Sequence, residues 1–265
     1  MTLPSPSMRR LSLCCLALAA HAAEAPLDHA RYAAALKEFR AQDGRSLAAL
    51  QAAGRSAEER RAAIDDVRER LVDEPAGPLT PAVATLLAKT SPAEARLLLA
   101  ALAEAKAVGA TASVAALAGQ ADSPVRVDAA LALAEIGGAK AVPVLAALAK
   151  DEAIAEEAVN ALAKVAGPGV TEAFNAGIRD AQAALPARFA LIRAAVARNN
   201  RAVAAALCAT IREESMRLES QKALLKLASP ADLPALRQAE AAVANAATKA
   251  ALGRLIAKLE KPEGK

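Results

Sequence analysis

The sequence predicts an all-α protein, an α-solenoid of antiparallel helix hairpins with a period of about 30 residues. Three observations lead there. The apolar residues make up 55% of the chain and are mostly Ala, Leu and Val, with aromatics at only 2%, which is a palette for helices and not for sheets. One unit, DSPVRVDAALALAEIGGAKAVPVLAAL from Asp122 to Leu148, reads as two helices broken at Gly137-Gly138. Its apolar frame then recurs along the chain.

The first element is a leader. Met8-Arg9-Arg10 supplies a positive segment, Leu11 to Ala20 an apolar run, and Ala20-His21-Ala22 an A-x-A cleavage site, so residues 1–22 are predicted to be a signal peptide. The apolar run is shorter than the roughly 20 residues that span a bilayer. The expected mature chain has no integral membrane segment and is periplasmic or secreted. Cys14 and Cys15 open a lipoprotein alternative, which the preceding Leu13 and Cys14 make a poor fit.

Residues 23–90 are expected to be a helical segment without a clear repeat. Ser56 with Glu59 has the capping-box spacing, Thr80-Pro81 puts an N-cap before a proline, and Gly44, Gly54 and Gly77 read as helix stops. Residues 91–260 are the predicted repeat array, and 261–265 a polar tail. Ser91-Pro92, Ser123-Pro124 and Ser229-Pro230 read as helix starts, and Gly109 and Gly119 as stops. In the reference unit Val125, Ala129, Leu133 and Ile136 form one apolar stripe, and Val142, Leu145 and Leu148 a second. Ile136 aligns with Val165, Val196 and Leu227 at successive intervals of 29, 31 and 31 residues, and with Val108 before it. The punctuation predicts roughly ten to thirteen helices over residues 28–260, with antiparallel neighbours. Units of this size cannot bury their apolar faces alone and must stack.

Asp122, Val125, Arg126, Ala129, Ala130, Ala132, Leu133, Ile136, Gly137, Ala141, Val142 and Leu145 together resemble the HEAT-like repeat first described in phycobilin lyases. The resemblance covers about residues 91–250. It implies a ladder of Asp and Arg side chains between repeats, and, as one activity, attachment of a bilin to a cysteine on a partner. Export argues against that activity. The unit at 154–179 has Ala155 where the family has Arg, and the next has Asn199-Asn200 where the family has Gly, so an irregular ladder is expected.

The residues offer no chemistry of their own. With His21 in the leader, His29 is the one histidine and Cys208 the one cysteine of the expected mature chain, too few for a catalytic dyad or a zinc site. No haem, nucleotide-binding or serine–lysine motif occurs, and Gly167-Pro168-Gly169 reads as a helix-to-helix turn. Catalytic residues, cofactors and metals are therefore not expected. Cys208, in AVAAALCATI, reads as a small buried hydrophobe. The pairs Asp65-Asp66, Glu156-Glu157 and Glu213-Glu214 diverge by about 100° on a helix and read as solvated faces.

Basic residues number 33 against 29 acidic and are interspersed, giving a net charge of +4. In a solenoid the second helix of each hairpin lines the concave side. That makes Lys150, Arg179, Arg212 and Arg237 candidates for one basic binding surface, with ordinary snorkelling surface residues as the alternative. The expected function is a monomeric, non-catalytic scaffold or adaptor for a protein partner, not for nucleic acid. Binding to an anionic polymer or a membrane surface is the alternative.

Overall fold

The computed structural model describes residues 29–52 and 54–261. The leader at 1–22 and positions 262–265 of the tail lie outside the described residues. Among the described residues every regular element is helical: fourteen α-helices and four short 3-10 turns, with no strand. No helix among them is long and apolar enough to cross a membrane.

The chain divides into two compact units, residues 1–45 and 46–265. The described part of the first unit is the N-terminal portion of helix α1 (His29–Gln51). Gly44 lies inside this helix, where a stop had been expected. Its φ is not positive, and an isolated glycine costs about 1 kcal/mol of helix propensity, too little to end a 23-residue helix. Gly54, at φ +80, does follow the helix end.

The second unit contains α2 (Ala57–Asp73), α3 (Leu79–Leu86), α4 (Pro92–Glu104), α5 (Thr111–Gly119), α6 (Arg126–Ile136) and α7 (Ala141–Leu148). It continues with α8 (Ala155–Lys164), α9 (Val170–Arg179), α10 (Leu185–Ala197), α11 (Ala204–Thr210), α12 (Glu214–Leu227), α13 (Leu233–Ala242) and α14 (Ala246–Leu259). Each even-numbered helix from α2 packs on the next even-numbered one, and each odd-numbered helix from α3 on the next odd-numbered one. From α5 onward each odd helix also packs on the even helix that follows it. The segment expected to lack a repeat supplies α2 and α3, which join the same two rows. Fourteen helices exceed the ten to thirteen expected, and the shortest, α11, has seven residues, barely two turns.

The reference unit buries both its stripes: Val125, Ala129, Leu133 and Ile136 on α6, and Val142, Leu145 and Leu148 on α7. Gly137 caps α6, and a Cβ there would lie 2.6 Å from that of Ala141, so this turn requires glycine. Val165 and Leu227 are buried as the alignment requires, and Val196 is half-buried. Val108 is not equivalent. It is 64% exposed, in the 3-10 turn after α4, while Ala107 beside it is fully buried. Helix α4 ends at Glu104, 32 residues before the end of α6 at Ile136, where the alignment takes 28, so Val108 falls past the turn.

Side-chain caps mark three helix starts, at Ser56, Ser91 and Asn245, and one short turn. Ser56 with Glu59 and Ser91 with Glu94 form complete capping boxes, and Ser229 with Asp232 opens the short turn before α13. Two expected starts move. Helix α3 begins at Leu79 after Pro78, and Thr80 is buried inside it, donating its hydroxyl to the Pro75 carbonyl at 2.8 Å. After Ser123-Pro124 the chain makes a turn, closed by the Arg126 amide on the Ser123 carbonyl at 3.1 Å, and α6 starts only at Arg126.

Helices α4 and α10 end alike. Lys106 and Asn199 both have φ +52, and the following amides of Ala107 and Asn200 donate back to Leu102 and Ala195 at 3.0 and 2.8 Å. This is a left-handed cap normally given to glycine, and asparagine tolerates it better than other residues.

Candidate functional site

The even-numbered helices are cross-linked by arginines. Arg126, the first residue of α6, donates its Nε to the Ala118 carbonyl near the end of α5 at 3.0 Å, and its guanidinium pairs with Asp151. Arg188 in α10 repeats this arrangement. Its Nε donates to the Ile178 carbonyl at 2.9 Å, and its two terminal nitrogens hold Glu213 bidentately at 2.7 and 3.0 Å. In both cases the acid follows the arginine by 25 residues. The same interval from Ala155, at the start of α8, ends on Asp180. There the rung is missing. Asp180 is exposed, and its Oδ1 accepts the Gln182 amide at 2.9 Å, much as Asp151 accepts that of Ala153 at 3.0 Å.

Earlier junctions use a different register. Arg60 of α2 pairs with Glu94 of α4, and Arg96 of α4 holds Asp128 of α6 and the Pro124 carbonyl, both at 3.0 Å. Where the rung is missing, a different arginine bridges the neighbouring helices: Arg198 donates to the Val165 carbonyl at 2.7 Å, with its guanidinium 5.3 Å from the centroid of the Phe174 ring.

These pairs account for the perturbed carboxylates. The Arg60 guanidinium, and then the Ser91 cap, hold the Glu94 carboxyl down at about 2. Arg126, then the Ala153 amide, keep the Asp151 carboxyl below the usual range. Glu213 had been expected to sit on a solvated face; instead it clamps Arg188, whose side chain is 3% exposed. Among the other paired acids, Asp66 accepts from Ser46, and Asp65, Glu156 and Glu214 are exposed. Among the described residues no three His, Cys, Asp or Glu side chains lie together as metal ligands would. Burial, with a smaller effect of Asp232, pushes the Cys208 thiol up to about 11, so it is not a ready nucleophile.

Lys150, Arg179 and Arg212 come at the C-terminal ends of α7, α9 and α11, three successive helices of the odd row that pack on one another. All three are exposed, and none makes an ion pair. Each directly precedes a ladder position, as Lys150-Asp151, Arg179-Asp180 and Arg212-Glu213. Asp151 and Glu213 turn to the ladder arginines, Asp180 stays exposed, and all three bases stay in solvent. Arg237 does not join them: it lies within α13 and pairs with Glu260 at 2.6 Å.

Beside this row the exposed positions are small on α5 (Ala112 and Ala116), α7 (Pro143 and Ala147) and α11 (Ala205 and Ala209), while α9 exposes the acid Glu172 together with Ala176. An open depression of about 620 Å³ runs from Gly119 past Pro143 and Ala147 to Lys150. A smaller slot of about 240 Å³ lies between α4 and α6, floored by Leu99, Ala103 and Leu131 and bridged by Arg96 and Asp128. Taken singly, the bases do not show their alternation with ladder residues. The 25-residue interval from arginine to acid is the signal that finds it.

Compared with known proteins, the chain matches no family model and no curated protein.

Proposed function

We propose that this chain is an exported α-solenoid of antiparallel, HEAT-like helix hairpins that acts as a monomeric, non-catalytic scaffold for a protein partner. The observation that carries this reading is the two-row packing, in which even helices stack on even and odd on odd. Units too small to bury their own faces share a core in this way. The even helices start 29 to 35 residues apart, which matches a hairpin period. The last one, α14, leaves Lys249, Arg254 and Lys258 exposed, as a polar cap would. In this reading the odd helices line the concave side, and Lys150, Arg179 and Arg212 belong to the binding face.

Non-catalytic fits the perturbed groups. Glu59, Glu94 and Asp151 are lowered by caps and ladder arginines, so their shifts serve structure. The leader pattern at 1–22 supports export.

Affinity capture from a periplasmic or secreted extract of the native organism tests the scaffold role, with a Lys150→Glu, Arg179→Glu, Arg212→Glu variant alongside. The expected result is a protein retained by the native chain and lost from the variant. Identical recoveries from both would contradict a binding face at this row. Fractionation of cells expressing the chain with and without residues 1–22 tests export, and retention of both forms in the cytoplasm would exclude it.

A further inference from the structure

We propose that the last three even helices, α10, α12 and α14, form a docking surface for a bilayer containing anionic phospholipid, with Leu218 and Leu225 entering the interface between cations that meet the headgroups. This goes beyond the scaffold reading above, which assigns the odd row to a protein partner and leaves the even row without a role.

Charge is segregated along the even row. Helices α2, α4, α6 and α8 together carry twelve acids and seven bases, and each has more acids than bases. Helices α10, α12 and α14, which pack in that order, carry eight bases and two acids. Of these eight, Arg188 is held by Glu213 and Lys222 by Glu219. The other six, Arg193, Arg217, Lys226, Lys249, Arg254 and Lys258, make no ion pair, and all but the half-buried Arg217 are exposed. The acids near them are Glu214, which opens α12, Glu240 of α13, which stands against Gly253, and Glu260, which is paired with Arg237. Six cations against Glu214 and Glu240 leave this surface positive with every neighbouring acid counted. Polybasic recognition of anionic lipid uses about four to eight cations.

The apolar part lies in the middle of the same surface. Leu218 and Leu225, 57% and 50% exposed, are the most exposed leucines among the described residues. They are seven residues apart, two turns along one line of α12, the central helix of the three. The buried side chains of that helix, from Met216 to Leu227, take its opposite side. Lys222 follows Leu218 by one turn, and Arg254 and Lys258 are one turn apart on α14. Apolar side chains with basic residues around them are the composition of a surface that rests in the headgroup region, where the tips reach the acyl boundary and the cations pair with phosphate.

Other occupants fit less well. Bases of a nucleic acid would need aromatics to stack on, and the chain has no Trp, one Tyr and three Phe. A peptide would need a groove, and neither depression described above includes Leu218 or Leu225. A second copy could offer its acidic even helices, but Glu94, Glu104 and Asp128 there are already tied across the row by Arg60, Arg68 and Arg96.

The test is co-flotation with vesicles, using the chain from residue 23, which keeps every described residue, because the apolar run at 11–20 would enter a bilayer by itself. Vesicles of equal parts phosphatidylglycerol and phosphatidylcholine should bind about tenfold tighter or better than phosphatidylcholine alone, and less tightly as salt rises. Each cation near an anionic bilayer contributes a factor of about five, so Lys226→Gln, Arg254→Gln and Lys258→Gln together should weaken binding by about a hundredfold. Leu218→Ser with Leu225→Ser should weaken it by about tenfold, whereas Leu97→Ser with Leu131→Ser, on the acidic helices, should change it by less than about twofold. All seven positions are exposed, so these variants should keep the native helicity and melting temperature. Leu218→Trp, in a chain without Trp, should show blue-shifted emission on binding. Equal binding to both vesicles, native affinity in the glutamine variant, an equal loss from the Leu97 and Leu131 pair, or unshifted emission overturns the proposal. A dimer in place of vesicle binding overturns it in favour of a second copy. None of these variants touches the odd row, so either failure leaves the scaffold reading and its capture experiment as they stand.

Discussion

The junction between α6–α7 and α8–α9 and the junction between α8–α9 and α10–α11 join similar pairs of helices by different means. At the first, Arg126 reaches the α5 carbonyl at Ala118 and the acid Asp151, so one side chain ties three segments together. At the second, Ala155 cannot reach Asp180, and the tie passes to Arg198, which holds the Val165 carbonyl and lies over Phe174. The apolar core continues through both junctions: Leu133, Leu162 and Ile192 are all buried. The difference teaches that packing determines the stack, while the ladder adjusts the stability of each junction and the charge left at its edge.

If packing dominates, the largest effect comes from the core that both junctions share. Leu133→Asp puts an unpaired carboxylate at a fully buried position on α6, which costs several kcal/mol, on the order of the protein's total stability. The expected result is loss of the helical circular dichroism signal and of a cooperative melt. A variant with native helicity and melting temperature would place the core elsewhere.

Removing a rung should cost less. Arg188→Ala leaves Glu213 and the Ile178 carbonyl without their donor. Breaking a buried pair typically costs about 3–5 kcal/mol, but Glu213 is 37% exposed and can rehydrate, so about 2–3 kcal/mol is expected in urea unfolding. A loss under about 0.5 kcal/mol would class this pair with ordinary surface bridges.

The pH dependence of the Arg60–Glu94 tie has a definite sign. The folded pKa of Glu94, about 2, lies below its ordinary 4.5, so the stability it contributes is present above about pH 4.5 and fades as pH falls towards 2. The melting temperatures of the native chain and a Glu94→Gln variant should differ most at neutral pH and converge across that window. A difference that stayed constant down to pH 2 would mean that the carboxylate charge is not what the variant removes.

The parts of this account that were legible in the sequence are local. The capping boxes at Ser56 and Ser91, the glycine turn after Ile136 and the two stripes of the reference unit depend on short spacings that a helix imposes directly. The boundary at Thr80 was misread because Pro78, two residues earlier, already starts the helix, and a buried threonine can satisfy its hydroxyl on the Pro75 carbonyl. Val108 is misplaced because the ends of α4 and α6 lie 32 residues apart and not 28, an irregularity that a fixed period does not register. The basic row was half legible. Lys150, Arg179 and Arg212 fall at matching ends of successive odd helices, but Arg237 matched them only in being basic and on a second helix. What decides the row's charge is where the following acids point, and that depends on arginines 25 residues upstream.

The smallest expected effect is also the most direct test of the ladder. A double-mutant cycle of Ala155→Arg and Asp180→Asn, read by urea unfolding, isolates the rung that the chain lacks. Ala155→Arg alone should stabilise the fold by about 0.5–1 kcal/mol, and most of that gain should vanish when Asp180 is also changed. A gain that persists without the Asp180 carboxylate, or no gain at all, would contradict the account in which Ala155 and Asp180 are the two halves of an empty rung.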